Sequence, residues 1–266
     1  MAGKRLDMAL CERGLAESRA RAQALVMEGV VFVDGQRAVK AGTAVPDAAH
    51  IEVRGRANPY VSRGGLKLEK ALDTFGISPA GRVCLDSGAS TGGFTDCLLR
   101  RGALKVYAVD VGYGQLAWSL RSDPRVVCME RTNLRHLTKS EIAEDIGLAT
   151  LDLSFISLGL ILPAVYGLLA PAGEAVCLVK PQFEAGKEKV GKKGVVRDPA
   201  VHREVLERFL ETAGRCGFGA ADMTFSPVRG PEGNIEYLAR LVKNPQAAWA
   251  GSVAALVEAS HKALEE

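Results

Sequence analysis

The sequence predicts an α/β protein in which a doubly wound, largely parallel sheet of seven strands follows a small α+β domain. Two observations predict this. Beyond residue 60, seven short apolar runs alternate with helical patterns, whereas the first 57 residues read as two short helices followed by a small sheet. The first of the seven runs also enters a glycine-rich turn, Asp86-Ser-Gly-Ala-Ser-Thr-Gly-Gly-Phe-Thr95, of the kind that follows the first strand of a nucleotide-type cofactor fold.

In the first domain, Leu6 and Leu10 make a helical stripe ended by Gly14, and Ser18 is placed to cap a second helix carrying Leu25 and Val26, which Gly29 stops. Val30-Val-Phe-Val-Asp-Gly35 reads as a strand running into an Asp-Gly turn, and His50-Ile-Glu-Val-Arg54 as another strand. Gly55 to Ser62 is the expected connection, because Asn58-Pro59 favours an extended or turn conformation. The expected division is therefore a domain at 1–57, a linker at 58–62 and a second domain at 63–266. Its strands are expected at 82–86, 105–110, 126–130, 149–153, 175–180, 223–228 and 235–241. Trp249, Val253, Leu256, Val257 and Leu264 form a closing helical stripe.

Composition excludes several function classes. With 47 % hydrophobic and 24 % charged residues in 266, the chain is ordinary for a soluble globular protein. The net charge is only +3, yet the first 70 residues hold twelve Lys or Arg against eight Asp or Glu, so basicity is concentrated where a polyanion would dock. Six cysteines are scattered without a CxxC pair, and Cys84, Cys128 and Cys177 fall in apolar runs, as buried reduced thiols do. The four histidines show no metal-ligand spacing, and no metal is expected. Asp7, Glu12 and Arg13 stand where a signal peptide needs an apolar core, so a cytoplasmic protein is expected. The uncharged run 153–173 is broken by Pro163, Pro171 and three glycines, which favours strand end, loop and surface helix over a membrane span.

Glycines at 88, 92 and 93 let backbone approach a ligand where a Cβ would clash. Their G-x-x-x-G-G spacing matches neither the dinucleotide fingerprint nor a phosphate-binding loop, which disfavours a dinucleotide or a nucleoside triphosphate. Asp110, ending the second strand, either accepts the two hydrogen bonds of a ribose diol or caps a turn.

Lys67, Asp152, Lys180 and Glu236 each sit beside an expected element end. Two amines and two carboxylates are the inventory for taking a proton from an alcohol and holding it for attack. Methyl transfer from a sulfonium needs such an activated nucleophile, and a lysine of ordinary pKa about 10.4 is protonated at neutral pH. Desolvation and a neighbouring cation lower that value, and carboxylates oppose the shift, so the four groups form a coupled set. Lys180, at a strand end before Pro181, is best placed as the base. Taken singly, a Lys or Asp at a strand end is more often an ion-pair partner than a catalyst. Lys180 to Arg203 carries seven Lys or Arg against three acids, with Gly186, Gly191 and Gly194. That pattern suits either a clamp on a phosphate backbone or a solvated loop.

Seven stretches together resemble the TlyA family, also called hemolysin A, of ribosomal RNA 2′-O-methyltransferases. They are Arg13–Arg19, Val61–Lys67, Asp86–Thr95, Val109–Leu120, Asp152–Ser157, Val179–Glu184 and Gly233–Glu236, so the likeness runs essentially end to end. The resemblance implies an N-terminal αL-type RNA-binding domain and a Rossmann-like, FtsJ-like methyltransferase domain that uses S-adenosyl-L-methionine. It implies methylation of a cytidine ribose in 23S, and in some members 16S, ribosomal RNA, with ribosomal subunits as partners and no membrane. The family's catalytic tetrad falls on Lys67, Asp152, Lys180 and Glu236. Its cofactor positions fall on Asp86, Gly88, Gly92, Gly93, Phe94, Asp110, Asn133 and Asp152. Arg5, Arg19, Arg21, Lys40 and Arg63 are the expected RNA contacts, with Arg37 beside them. Where some members have a linker Trp, this chain has Asn58-Pro-Tyr-Val61. Two other readings are a membrane-lytic protein, as the hemolysin name suggests, and a catalytically silent ribosome assembly factor.

Overall fold

The computed structural model describes residues 3–16, 18–54 and 58–264. They form two compact units divided between Pro59 and Tyr60. The boundary expected at residue 57 falls outside the described residues, as does the start of the connection, Gly55 to Ala57.

The first unit runs β1 (Lys4–Arg5), α1 (Leu6–Glu12), α2 (Arg19–Glu28), β2 (Val31–Val33), β3 (Gln36–Arg37), β4 (Ala44–Val45) and β5 (Ile51–Val53). Leu6 and Leu10 of α1 and Leu25 and Val26 of α2 are at most 2 % exposed and pack with Val31, Val45 and Ile51. Ser18 starts α2 by accepting a hydrogen bond from the Arg21 amide at 3.2 Å, satisfying one of the donors a helix start leaves unpaired. The Asp34-Gly35 turn joins β2 to β3, and β5 pairs antiparallel on the other side of β2. The β1–β4 pairing is two residues long, too short for any period in the sequence to announce it.

In the second unit α3 (Gly64–Phe75) precedes β6 (Val83–Ser87), α4 (Gly93–Arg100), β7 (Lys105–Val109), α5 (Trp118–Arg121) and β8 (Val126–Met129). There follow β9 (Ile146–Leu151), α6 (Leu162–Leu168), β10 (Leu169–Val179), α7 (Pro181–Glu184), α8 (Pro199–Arg215), β11 (Gly219–Phe225), β12 (Tyr237–Val242) and α9 (Val253–Leu264). The strand order is β11-β12-β10-β9-β6-β7-β8, with β12 antiparallel to both its neighbours and the other adjacent pairs parallel. Successive strand residues face opposite sides. Cys84, Val106, Val176 and Leu178 meet α3 and α4, while Leu85, Tyr107, Cys177 and Val179 meet α6 and α8. Both faces of the sheet are thus covered, as the near-continuous apolar strands require.

β9 starts three residues before its expected run, at Ile146, β12 two residues after its own, at Tyr237, and β10 and β11 differ most in extent. β10 begins at Leu169, where Leu169 pairs with Ile146, and then shifts register before Glu174. Pro171 and Gly173 lie in that irregular stretch and hide the strand from a pattern reading. β11 covers 219–225 rather than 223–228, since Gly219 is drawn against the carbonyls of Asn244 and Ala247, which no local pattern encodes. Among the described residues no helix is long and apolar enough to cross a membrane, and the run 153–173 divides into loop, a short 3-10 turn, α6 and the start of β10. All six cysteines are free, and burial pushes the thiols of Cys84 and Cys97 up to about 12.

Tyr60, within the expected linker, belongs physically to the second unit. It is 5 % exposed, donates to Glu69 at 2.8 Å, and lies where a Cβ on Gly65 would be 2.2 Å from its ring. The Val61 amide donates to Asp96 at 2.9 Å in the same unit.

Candidate active site

Parallel strands end on one side of the sheet, and the polar residues with chemistry gather there. Gly88 follows β6 with φ +82°, and a Cβ on it would stand 2.4 Å from the Asp152 carbonyl oxygen. The turn is tied to its neighbours by bonds from the Gly88 amide to Val109 O and from the Asp152 amide to Ser87 O, both 2.9 Å. Bare backbone therefore faces a cavity of about 280 Å³ lined by Gly88, Ser90, Gly93, Phe94, Lys67 and Asp152 among others. An adjoining cavity of about 370 Å³ is lined by Gly88, Asp110, Asn133, Leu134, Asp152, Ile156 and Ile161 among others.

The residues expected at the cofactor fall into two groups. Gly88, Gly93, Phe94, Asp110, Asn133 and Asp152 line these cavities. Asp86 and Gly92 stand behind them. Gly92, φ +97°, makes room for Leu120, whose Cδ1 would be 2.2 Å from an added Cβ. Asp86 is fully buried and accepts hydrogen bonds from Thr95 at 2.6 Å and Thr150 at 3.1 Å, clamping the start of α4 to β6 and β9. Burial pushes its carboxyl up to about 7 against the pull of those hydroxyls. Asp110 uses one oxygen for the Ser90 amide at 2.8 Å and the other for the Gly112 amide at 2.6 Å. It caps the turn and also lines the second cavity, and each carboxylate oxygen can accept more than one hydrogen bond, so the two readings left open by the sequence are compatible.

Lys67, Asp152, Lys180 and Glu236 come together as two ion pairs. Lys67 Nζ lies 2.5 Å from Glu236 Oε2, and Lys180 Nζ lies 2.6 Å from Asp152 Oδ1. Lys180 also donates to Ser154 Oγ at 3.1 Å, and Gln182 donates to Glu236 Oε1 at 3.3 Å. Both lysines are 7 % exposed and Glu236 is 0 % exposed, so these charges are largely withdrawn from water and balanced locally. Gly230 gives way to Glu236, whose Oε1 would be 2.2 Å from a Cβ there. A third cavity, of about 730 Å³, holds Lys180, Glu236, Ser154, Gln182, Phe183 and Phe155.

Sequence reasoning assigned no role to Phe155 or Ser154. Phe155 has φ +64°, a conformation uncommon for a bulky side chain, is 90 % exposed, and lies 4.9 Å from Phe183 between ring centroids. Its signal was available: an aromatic in the short Ser154-Phe-Ile-Ser157 run just past a buried strand has no period that would bury it.

Among the expected RNA contacts, Arg5 and Arg19 converge on Asp7, which is 0 % exposed. The Arg5 hydrogen bond, with help from Gln23 and Arg19, holds the Asp7 carboxyl well below the usual carboxylate range. Both guanidinium side chains stay about half exposed, at 48 % and 56 %. Arg21 donates to the Asn58 carbonyl at 2.7 Å, and Lys40 is exposed. Arg63, in the second unit, donates to the Arg229 carbonyl at 2.8 Å. Among the described residues there is no group of three or more His, Cys, Asp or Glu that would hold a metal ion.

A family model described as FtsJ-like methyltransferase matches residues 60–243. The 16S/23S rRNA (cytidine-2′-O)-methyltransferase TlyA of Mycobacterium tuberculosis is 48 % identical over 263 residues, covering 98 % of this chain and 97 % of that one. The chain belongs to the TlyA family of FtsJ-like methyltransferases. A second model, the S4 domain, matches residues 4–49, the unit that carries Asp7 and its arginines. Hemolysin A of Brachyspira hyodysenteriae is 44 % identical over 239 residues, covering 90 % of this chain and 99 % of that one. The solved structure of a candidate hemolysin from Streptococcus thermophilus shares 44 % identity and superposes with a TM-score of 0.80, covering 100 % of this chain and 98 % of the other. The TlyA and hemolysin A names thus fall on chains of one family, and all of the sheet lies inside its FtsJ-like part.

Proposed function

We propose that the protein transfers a methyl group from S-adenosyl-L-methionine to the ribose 2′-hydroxyl of a cytidine in ribosomal RNA. The observation that carries this reading is the pair of lysine–carboxylate contacts, Lys180–Asp152 and Lys67–Glu236, beside the exposed backbone of Gly88. The cavities suit this cofactor: glycine backbone at Gly88 and Gly93, carboxylates at Asp110 and Asp152, and an apolar wall of Leu134, Ile156 and Ile161. When bound, the cofactor supplies an electrophilic methyl on a sulfonium.

The chain's own residues divide the remaining work. Asp110 would accept from the cofactor ribose, Asn133 and Leu134 would border its base, and the Asp152 carboxylate would face the sulfonium charge. Lys180 Nζ, after giving up the proton of its ion-paired ammonium to solvent, takes the proton of the 2′-hydroxyl, while Ser154 and Asp152 aim the amine. Lys67, held by Glu236, steadies negative charge developing on the 2′-oxygen, and Gln182 fixes Glu236 in turn. Phe155 offers an aromatic face to an unstacked base. The first unit docks RNA through Arg5, Arg19, Arg21 and Lys40, and Arg63, near the start of the transferase unit, adds a further cation.

The test is incubation of each purified ribosomal subunit with methyl-labelled cofactor, followed by mapping of the labelled nucleotide. Label on a cytidine 2′-oxygen is expected. Absence of label from the RNA of both subunits, with cofactor binding demonstrated by calorimetry, would sink the reading.

A further inference from the structure

Beyond α7 the chain carries cations that the transfer reaction does not use. Lys192, Lys193 and Arg197 are exposed, and among the described residues none of them has an ion pair. Together with Lys189 they line a hollow of about 370 Å³ that contains no carboxylate residue. Lys189 alone is occupied, by Glu204 at 2.5 Å. Concentrated positive charge of this kind, left uncompensated by the fold, is electrostatically unfavourable until an anion enters.

A merely solvated loop would have a loose base, and this one does not. Val195 and Val196 are 9 % and 3 % exposed. The Val196 amide donates to Asn234 Oδ1 at 3.1 Å, and the Asn234 side-chain amide donates to Gly194 O at 2.9 Å. The Val196 carbonyl accepts from His202 Nε2 at 3.0 Å, which leaves Nδ1 to accept from Tyr237 OH at 2.8 Å. Burial lowers the His202 pKa, in keeping with that neutral tautomer. Asn234 and His202 are 3 % and 0 % exposed. Asn234 precedes Glu236 by two residues and Tyr237 follows it, so the grips on Val196 flank the carboxylate that pairs with Lys67. The cationic hollow and the Lys67–Glu236 pair are parts of one fixed framework.

We propose that the hollow formed by Lys189, Lys192, Lys193 and Arg197 is a binding site for backbone phosphates of the RNA substrate, held in register with the ion-paired site by Asn234. The proposal rests on the RNA methyltransferase reading above. A loop already ordered at its base loses less freedom when phosphate binds, and its fixed attachment makes it a ruler between a phosphate and the reacting ribose. Asn234 is a positioning residue here, acting through the Gly194–Val196 backbone.

The experiment uses the full chain with Lys192→Ala, Lys193→Ala and Arg197→Ala combined. Methyl transfer to ribosomal subunits and RNA binding are followed over a series of KCl concentrations. KM for the subunits should rise tenfold or more, while kcat and cofactor affinity stay within twofold. The slope of log affinity against log salt should become shallower by about two, since each lost phosphate contact removes about 0.7 to 0.9. A variant that exchanges Lys for Arg and Arg for Lys at these positions should restore the slope. Asn234→Ala should raise KM, and adding it to the triple variant should raise KM no further, because both act through one contact. Multiplying effects would remove the Asn234 link.

An unchanged slope and KM in the triple variant, with wild type active in the same assay, would overturn the phosphate site alone. Wild type that neither binds nor methylates RNA would overturn the transferase reading and the site with it. Loss of binding to anionic phospholipid vesicles, with RNA binding intact, would make the hollow a membrane dock and the proposal wrong.

Discussion

At the scale of single residues, the site is built from charges that are paired before any ligand arrives. Lys180 is held by Asp152 and Ser154, so its amine is already aimed when substrate enters. Lys180→Ala should reduce transfer by about 100-fold or more, the usual worth of a general base, while calorimetry shows nearly unchanged cofactor affinity. Activity within tenfold of wild type would limit the transition-state loss to about 1.4 kcal/mol and take the base role away from Lys180. Asp86 makes a different prediction. Its carboxyl is pushed up to about 7 by burial, so the fold prefers its neutral form. The stability that this preference contributes is complete below the unfolded value near 3.9 and is lost as pH rises through about 7. Asp86→Asn removes the titration, so its melting temperature relative to wild type should improve between pH 4 and pH 8. A difference that does not change with pH would show that Asp86 is ionised throughout.

At the scale of elements, the working parts are the turns after β6, β9 and β10 and the turn before β12. Their spacing depends on close backbone approach. Gly88→Ala would put a methyl group 2.4 Å from the Asp152 carbonyl at a residue with φ +82°, so the end of β9 must shift. Left-handed backbone in a non-glycine residue costs about 1–3 kcal/mol, and the shift also moves the carboxylate that holds Lys180. Transfer should therefore fall far more than thermal stability does, measured as initial rate against melting temperature. Equal rates would mean that the turn tolerates displacement and that Asp152 is not placed by it. The element scale also shows where pattern reading fails. The core of β10 was legible from Ala175-Val-Cys-Leu-Val179, but its start was not, because Pro171 and Gly173 sit in a register shift that only pairing with β9 defines. Ser18 and Gly29 marked both ends of α2 correctly, since capping is a local matter of one side chain and one φ angle.

At the scale of the whole molecule, the two units have separate apolar cores. Leu6, Leu10, Leu25, Val26, Val31 and Ile51 form the first, and none of them belongs to the clusters on the two faces of the large sheet. Removing residues 1–57 should leave a cooperatively folding transferase unit that binds S-adenosyl-L-methionine, retains Tyr60 in its core, and methylates ribosomal subunits poorly. Circular dichroism melting, calorimetry and the labelled-methyl assay check the three parts of that outcome. Full-rate methylation by the truncated chain would show that the first unit is dispensable for targeting, and would leave docking to cations of the second unit such as those of the Lys192–Arg197 segment.

The amino-acid sequence by itself announced the order and kind of the main elements, pointed to a division near residue 60, and named the residues from which the proposed site is drawn. These are properties of local period, capping and turn chemistry, together with family motifs that lie along the chain. Only the tertiary structure decided how the four charged residues pair: Lys67 with Glu236, 169 positions away, and Lys180 with Asp152. It alone decided that β12 runs antiparallel between β10 and β11, that Gly92 serves Leu120 while Gly88 faces the cavity, and that Asn234 and His202 grip one valine. The physical reason is the same in each case. Strand order, ion pairing and close approach depend on distances through space between segments remote in sequence, and no periodicity within one segment encodes them.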